Sequence, residues 1–200
     1  GVIESFKKTE AIVRLRSSTY LDRESPLEVW LIQGIPKGEK MELVIQKATE
    51  LGVRGIVPLE TGRTVVRLEG EKKAGKQARW RKVAVEAAKQ CRRTVVPEVL
   101  SVRSIEDLPS LLPPECLLLI PWEYGGIPLK QVLREKGAAS PAVKPIYILI
   151  GPEGGLDEKE VGLARDAGGI PVTLGPRILR TETAGLAVLA AVMYQWGDLG

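Results

Sequence analysis

Short runs of consecutive apolar residues recur along the chain from residue 28 onward. Residues 117–120 read Leu-Leu-Leu-Ile, and residues 148–150 read Ile-Leu-Ile. A strand with apolar side chains on both faces must be covered on both, as a parallel strand is when helices lie above and below its sheet. The chain is therefore predicted to form an α/β fold built on a parallel sheet.

Between these runs, apolar residues recur at the spacing of a helix, so strands and helices alternate along the chain. The predicted strands are residues 29–35, 55–59, 98–100, 116–121, 146–150 and 171–174. The predicted helices are residues 39–51, 76–91, a short one near 104, 129–136, 157–167 and 183–196.

The first 27 residues follow a different pattern. They contain two short predicted strands, residues 2–7 and 11–17, followed by a Ser-Pro break at residues 25–26. Two strands alone bury too little surface to form a stable domain. We therefore expect residues 1–27 to be the remnant of a small N-terminal β module, and residues 28–200 to form the main domain.

Several simple features predict a cytoplasmic protein without a membrane span. The longest apolar run, residues 184–194, is 11 residues long, about half of the ~20 that a transmembrane helix needs. The chain does not open on a basic stretch followed by an apolar one, which is the pattern of a secretory leader. Its two cysteines, Cys91 and Cys116, are too few for a disulfide framework and suit a reducing compartment.

The chain contains no histidine. This absence excludes Ser-His-Asp and Cys-His nucleophilic catalysis, histidine general bases and every zinc site that uses histidine. Two cysteines cannot supply an all-cysteine zinc site, so no metal is expected. Any chemistry must then rest on Asp, Glu, Lys, Arg, Tyr or Cys.

Positive charge is concentrated in one segment. Residues 63–93 carry eleven basic and three acidic residues, although the whole chain has a net charge of only +4. This asymmetry predicts a surface that faces a polyanion, with nucleic acid as the first candidate, whereas a solvated helix face would give the same pattern. The candidate RNA contacts are Arg63, Arg67, Arg92, Arg93 and, in a later loop, Arg177.

A glycine-rich loop, Gly-Pro-Glu-Gly-Gly at residues 151–155, follows one predicted strand and precedes a helix. Ligands of parallel sheets bind at the carboxyl ends of strands, and glycine lets the backbone approach them closely. The alternative is an ordinary strand-to-helix turn. The loop lacks the G-x-G-x-x-G pattern, and Glu153 would repel a pyrophosphate, so the sequence favours a cationic or zwitterionic ligand over a dinucleotide.

A second glycine-containing segment, residues 70–77, approximates the spacing of a phosphate-binding P-loop. Gln77 stands where the motif requires the Ser or Thr that binds magnesium, and the interior is crowded with long charged side chains. The pattern therefore disfavours a P-loop.

A loop with two arginines lies between the last predicted strand and the last helix. Arg177 and Arg180 stand three residues apart, where paired guanidinium groups could bind a phosphate or position a carbonyl oxygen. Thr181 or Thr183 could cap the following helix, which would explain the threonines but not the arginines.

Four ordered motifs together resemble the ribosomal RNA small subunit methyltransferase E family of the SPOUT superfamily. They are residues 37–53, residues 86–98, the glycine-rich loop with the isoleucine before it, and residues 174–184. The resemblance extends over residues 28–200.

The resemblance implies a SPOUT-type parallel sheet with a C-terminal trefoil knot, preceded by a PUA-like β-barrel of which residues 1–27 are the remnant. It also implies a homodimer that uses S-adenosylmethionine to methylate N3 of a uridine in the 16S rRNA of the small ribosomal subunit. It places the cofactor on Ile120, Pro121, Trp122, Glu123, Ile150, Gly151, Pro152, Glu153, Gly154, Gly155, Leu174, Gly175, Ile178, Leu179 and Arg180. A homodimer also agrees with the last helix, which is apolar nearly all round.

Methylation at N3 requires that a weakly acidic proton leave the uracil. Without histidine, we expect Arg180 to stabilise negative charge on a uracil carbonyl, and Glu182 to orient the base or accept the proton. Glu182 could instead be only a favourable charge at a helix start. A non-catalytic RNA-binding protein would explain the basic segment but neither loop, and a dinucleotide-dependent oxidoreductase lacks its glycine motif.

Overall fold

The computed structural model describes residues 1–19, 23–65, 70–137 and 144–200. Its strands are β1 (Val2–Phe6), β2 (Ala11–Arg14), β3 (Val29–Gly34), β4 (Gly55–Glu60), β5 (Glu98–Val99), β6 (Arg103–Ser104), β7 (Leu117–Pro121), β8 (Ile127–Pro128), β9 (Ile146–Ile150) and β10 (Ile170–Thr173). Its α-helices are α1 (Lys40–Glu50), α2 (Gly70–Cys91), α3 (Leu108–Leu111), α4 (Leu129–Gly137), α5 (Glu158–Asp166) and α6 (Thr181–Trp196), with a short 3-10 helix at Ile105–Asp107.

Strands β3 to β10 form one sheet in the order β5-β4-β3-β9-β7-β10-β8, with β6 also paired to β4. Every pair in this sheet is parallel. The predicted α/β fold with a parallel sheet is therefore confirmed. The two-residue strands β6 and β8 were not predicted, because neither Arg-Ser nor Ile-Pro contains the consecutive aliphatic residues that indicate a buried strand.

Helices cover both faces of this sheet, as the apolar runs require. Ile146, Ile148 and Ile150 of β9 pack in the cluster that contains α1 and α6, whereas Tyr147 and Leu149 pack in the cluster that contains α5. Alternate residues of one strand thus point into two different cores.

Two helices begin earlier than the sequence predicts. Helix α2 begins at Gly70 rather than residue 76, because the intervening lysines, glutamate and alanine are good helix formers. Residues 70–77 are consequently helical, so the P-loop is excluded. Helix α6 begins at Thr181 rather than residue 183.

Strands β1 and β2 pair antiparallel as a separate two-stranded sheet. Its apolar side chains are exposed, with Phe6 at 75% and Ile12 at 47%. No helix within the described ranges combines the length and apolar character needed to cross a membrane.

Candidate active site

A cavity of about 450 Å³ opens at the carboxyl ends of β9, β7 and β10. These three strands are neighbours in the sheet although they are far apart in the sequence. Their adjacency brings together the loops that follow them, while Lys40, the first residue of α1, reaches the cavity from another side. This convergence is what the binding rule for parallel sheets predicts.

Most of the residues that the resemblance places on the cofactor line this cavity. They are Pro121, Trp122, Glu123, Ile150, Gly151, Pro152, Glu153, Gly155, Leu174, Gly175, Ile178, Leu179 and Arg180. Arg177 and Glu182, predicted to bind RNA and to take part in catalysis, line it as well. That these residues bind a cofactor or a base stays a prediction.

Two predicted cofactor residues do not face the cavity. The side chain of Ile120 in β7 is fully buried and packs in the core between the sheet and α5, close to Gly169. Gly154 faces Arg63: its carbonyl accepts a hydrogen bond from Arg63 Nη1 at 2.7 Å, and a Cβ on Gly154 would point at the Arg63 side chain.

The glycine-rich loop is folded back tightly on itself. A Cβ on Gly151 would lie 2.6 Å from the carbonyl carbon of Gly155 and 2.8 Å from Leu156 N. Gly155 has a φ of +70°, a conformation that favours glycine. At the end of β3, a Cβ on Gly34 would lie 2.5 Å from Pro152 N, so the backbone of β3 packs directly against the loop. Close backbone approach therefore explains these glycines.

A buried chain of hydrogen bonds joins this loop to α6. Gln33 Nε2 donates to Thr181 Oγ1 at 2.8 Å, and Thr181 Oγ1 donates to the carbonyl of Gly151 at 2.6 Å. Gln33 is fully buried and Thr181 nearly so. The expectation that Thr181 or Thr183 caps α6 is wrong, because Arg180 occupies the cap position and Thr181 instead links the helix to the loop.

Four charged side chains face one another at the cavity. The Lys40 ammonium lies 3.3 Å from Glu153 Oε1 and 3.4 Å from Glu182 Oε2, and Arg180 Nη1 lies 4.0 Å from Glu182 Oε1. Glu153 Oε1 also accepts a hydrogen bond from Lys37 N at 3.0 Å. Partial burial opposes the charge of Glu153, but backbone N–H groups, including that of Lys37, and the Lys40 ammonium outweigh it and lower its pKa.

Glu182 is the more buried of the two carboxylates, with 15% of its side chain exposed. Lys40 lies at ion-pair distance from Oε2, yet among the described residues no donor makes a hydrogen bond to this buried oxygen. Oε2 thus keeps a lone pair that can accept a proton or a hydrogen bond from a ligand. Arg180 contrasts with it, since 81% of its side chain is exposed at the cavity mouth.

Sequence reasoning missed Lys40 and the buried Gln33. One signal for Lys40 was available: a cation as the first residue of a helix lies at the positive end of the helix dipole, where it is unfavourable. Such a local violation often marks a functional contact. Nothing in the sequence distinguishes Gln33 from any other polar residue in a strand.

The basic segment is less uniformly exposed than its composition indicates. Arg92 is exposed, whereas Arg67 lies outside the described residues. Arg93 contradicts the prediction of an exposed RNA contact, because only 7% of its side chain is exposed. It pairs with Glu24 at 2.7 Å and donates to the carbonyls of Thr49 and Val53. Arg93 therefore links Glu24, just before β3, to the C-terminal end of α1.

Replacing Arg93 with alanine should lower the free energy of unfolding by about 3 kcal/mol, because it removes the cationic partner of the partly buried Glu24 and the donor to two backbone carbonyls. Partial burial opposes the charge of Glu24, but Arg93 and the N–H groups of Val95 and Thr94 outweigh it and lower its pKa. The contribution is thus present at neutral pH and is lost as the pH falls through the lowered value. Urea denaturation checks this, with Lys82→Ala on the exposed face of α2 as the control; equal stability of both variants would contradict it.

The parallel sheet and the three converging loops lie within residues 23–193, which match the family described as RNA methyltransferase domain. A solved ribosomal RNA small subunit methyltransferase E from Neisseria gonorrhoeae, bound to S-adenosylmethionine, is 39% identical with a TM-score of 0.82, covering 91% of this chain and 72% of that one. A methyltransferase from Legionella pneumophila, in complex with the same cofactor, is 36% identical with a TM-score of 0.85, covering 98% and 78%.

The family can be stated more narrowly. The ribosomal RNA small subunit methyltransferase E of Bacillus subtilis is 37% identical over 197 residues, covering 96% of this chain and 76% of the relative. The chain belongs to the ribosomal RNA small subunit methyltransferase E family, which confirms the resemblance carried by the four motifs.

Proposed function

We propose that this protein uses S-adenosylmethionine to methylate N3 of a uridine in the 16S rRNA of the small ribosomal subunit. The observation that carries the proposal is the cavity formed by three loops of the parallel sheet, with an arginine and a carboxylate at its edge, in a chain of this family. The names of its relatives support the action on small-subunit rRNA. The cytoplasm, where ribosomes are made, is the expected compartment.

The cavity fits this cofactor in size and in chemistry. Its lining combines apolar side chains with charges of both signs, which suits a ligand that has an apolar ring and a zwitterionic end. The aliphatic lining residues include Ile150, Leu156, Leu174, Ile178 and Leu179. The carboxylates of Glu123, Glu153 and Glu182 suit a cation, in keeping with the acidic interior of the glycine-rich loop. When bound, the cofactor supplies a methyl group already activated by a sulfonium.

The protein must therefore activate the uracil. Arg180, exposed at the cavity mouth, can donate hydrogen bonds to a uracil carbonyl and stabilise the negative charge that develops as the N3 proton leaves. Glu182, with its buried acceptor oxygen, can take that proton or hold the water that does. Glu182 also lies in the first turn of α6, where a negative charge is favourable without any catalytic role.

A methylation assay on small ribosomal subunits tests the proposal. Subunits that lack the modification would be incubated with the protein and methyl-labelled cofactor, and the labelled rRNA fragment mapped by mass. We expect one labelled uridine, with the methyl group on N3. Tight RNA binding without any methyl transfer would support the alternative, a non-catalytic RNA-binding protein.

RNA is proposed to bind along the exposed cations of α2 and the neighbouring loops. Arg63, Lys82 and Arg92 are exposed there, and Arg177 extends the positive charge to the cavity. Arg79 and Lys89 are partly neutralised by Glu42 and Glu86. Affinity for RNA should fall steeply as salt increases, because each neutralised phosphate releases a counterion.

The trefoil knot and the PUA-like barrel belong to the same proposal. Strand β9 lies between β3 and β7, and β10 lies between β7 and β8. Each of these late strands is therefore inserted between two strands that come earlier in the sequence. This is the region where the family's knot is expected. The exposed apolar side chains of β1 and β2, among them Ile3 and Phe6, support packing against further strands of a barrel.

We expect the protein to be a homodimer in solution. One face of α6 is buried and carries Val188, Leu189 and Val192. Its outer side carries the exposed Ala187 and Tyr194, the latter 72% exposed. A self-complementary interface would cover this apolar outer side. Light scattering at micromolar concentration should give the mass of two chains, and a monomeric mass would contradict the proposal.

A further inference from the structure

Lys40 lies between two segments of the cavity wall, the glycine-rich loop and the start of α6. Its ammonium lies 3.3 Å from Glu153 of the glycine-rich loop and 3.4 Å from Glu182 at the start of α6. These carboxylates come from segments that follow different strands, and Lys40 itself comes from α1. One side chain thus joins three elements at the edge of the cavity.

The surroundings of Lys40 favour a fixed link over a loose surface contact. The three side chains are partly buried, with exposed fractions of 36% for Lys40, 30% for Glu153 and 15% for Glu182. Glu153 Oε1 is held a second time by Lys37 N, next to the same helix. Partial burial reduces screening by solvent and so strengthens each ion pair relative to an exposed one.

The positive charge of Lys40 also offsets the repulsion between the carboxylates of Glu153 and Glu182. Without Lys40, two carboxylates would face the same cavity, and Arg180, 4.0 Å from Glu182 and mostly exposed, would offset their charge only weakly. Their repulsion would favour movement of the glycine-rich loop away from α6. With Lys40 in place, the charges of Lys40, Glu153 and Glu182 add up to one negative charge, which complements a cationic ligand.

We infer that Lys40 is a positioning residue that cross-links the glycine-rich loop to the start of α6 and so keeps the cavity in its binding geometry. Its effect on the cofactor rests on the proposed function, but the cross-link is a property of the protein alone. The unfavourable position of a lysine at the first residue of α1 is then explained, because the link offsets that local cost.

The first test needs no cofactor. Lys40→Met should increase hydrogen exchange in the free protein at residues 151–155 and at the first turn of α6. Lys47→Met is the matched control, since Lys47 lies on the same helix and, within the described part of the chain, its ammonium pairs with Glu50 alone, one turn away. Lys40→Arg should restore most of the protection, because a guanidinium can bridge two carboxylates. Exchange in Lys40→Met equal to that of the control would overturn the inference.

The second test measures S-adenosylmethionine. Lys40→Met should weaken calorimetric affinity and raise the KM for the cofactor about tenfold, while kcat at saturating cofactor stays within about threefold, as expected when ground state and transition state are affected equally. Adding Glu153→Gln to Lys40→Met should cause little further loss, because the link is already broken. A fall in kcat with unchanged KM would overturn the inference and make Lys40 a group that acts on the reacting atoms.

The two tests separate the possible failures. If the parental protein binds no S-adenosylmethionine but Lys40→Met still loosens both segments, the proposed function is wrong and the cross-link stands. If the parental protein binds the cofactor and Lys40→Met binds it equally well, the inference about Lys40 is wrong and the proposed function stands.

Discussion

Replacing Gly151 with alanine is expected to lower the affinity for S-adenosylmethionine about a hundredfold, since overpacking costs ~1–3 kcal/mol and each 1.4 kcal/mol is tenfold. The added Cβ would lie 2.6 Å from the carbonyl carbon of Gly155 and 2.8 Å from Leu156 N. Both are backbone atoms, which cannot rotate away as a side chain can. The loop would have to open and would also disturb the hydrogen bond from Thr181 to the Gly151 carbonyl.

Gly154→Ala in the same loop is the matched control. Its Cβ would lie 3.2 Å from Cβ of the exposed Arg63, which would need to move by only a few tenths of an ångström. Calorimetry should therefore show nearly parental affinity for Gly154→Ala. Thermal melting of both variants would verify that the domain stays folded. Equal affinity of the two variants would show that the glycine-rich loop does not form the cofactor site as proposed.

The contrast between these two glycines shows where sequence reasoning stops. Spacing after a strand predicted that the loop would face a ligand, and the structure places it at the cavity. Which glycine faces inward depends on how the loop folds back against Gly155 and against Gly34 of β3, more than a hundred residues earlier. From the sequence, Gly154 is as good a candidate as Gly151.

The parallel sheet could be predicted for a local reason and the strand order could not. A run such as residues 146–150 requires cover on both faces wherever it lies, so its own composition indicates a central strand. Its neighbours, β3 on one side and β7 on the other, are set by contacts distant in the sequence. The convergence of three loops follows from that order, and so does the contact between Lys40 and two carboxylates.

The basic segment shows a related limit. Counting charges along the chain treats Arg92 and Arg93 alike, yet Arg92 is exposed and Arg93 forms an ion pair with Glu24. Composition gives the sign of a segment's charge but not the direction of each side chain. The RNA surface proposed above is accordingly smaller than the segment that predicted it.

Arg180→Lys is expected to lower the single-turnover rate of methyl transfer about a hundredfold at saturating RNA and cofactor, the usual effect of removing a donor that stabilises developing negative charge. Arg180 is the N-cap residue of α6, so its side chain starts beside Glu182 while the guanidinium stays exposed toward a ligand. A lysine keeps the charge but cannot present the paired N–H donors of a guanidinium to a planar base. The affinities for RNA and cofactor should change only a few-fold.

Arg177→Lys serves as the control for this variant, because Arg177 lies in the same loop and also lines the cavity. As a proposed phosphate contact it should tolerate lysine, so its rate at saturation should stay close to the parental value, with RNA affinity modestly reduced. The rate is measured by quenched flow with labelled cofactor, and both affinities separately by titration. If Arg180→Lys transfers methyl groups at the parental rate with both ligands bound, Arg180 does not stabilise the uracil anion.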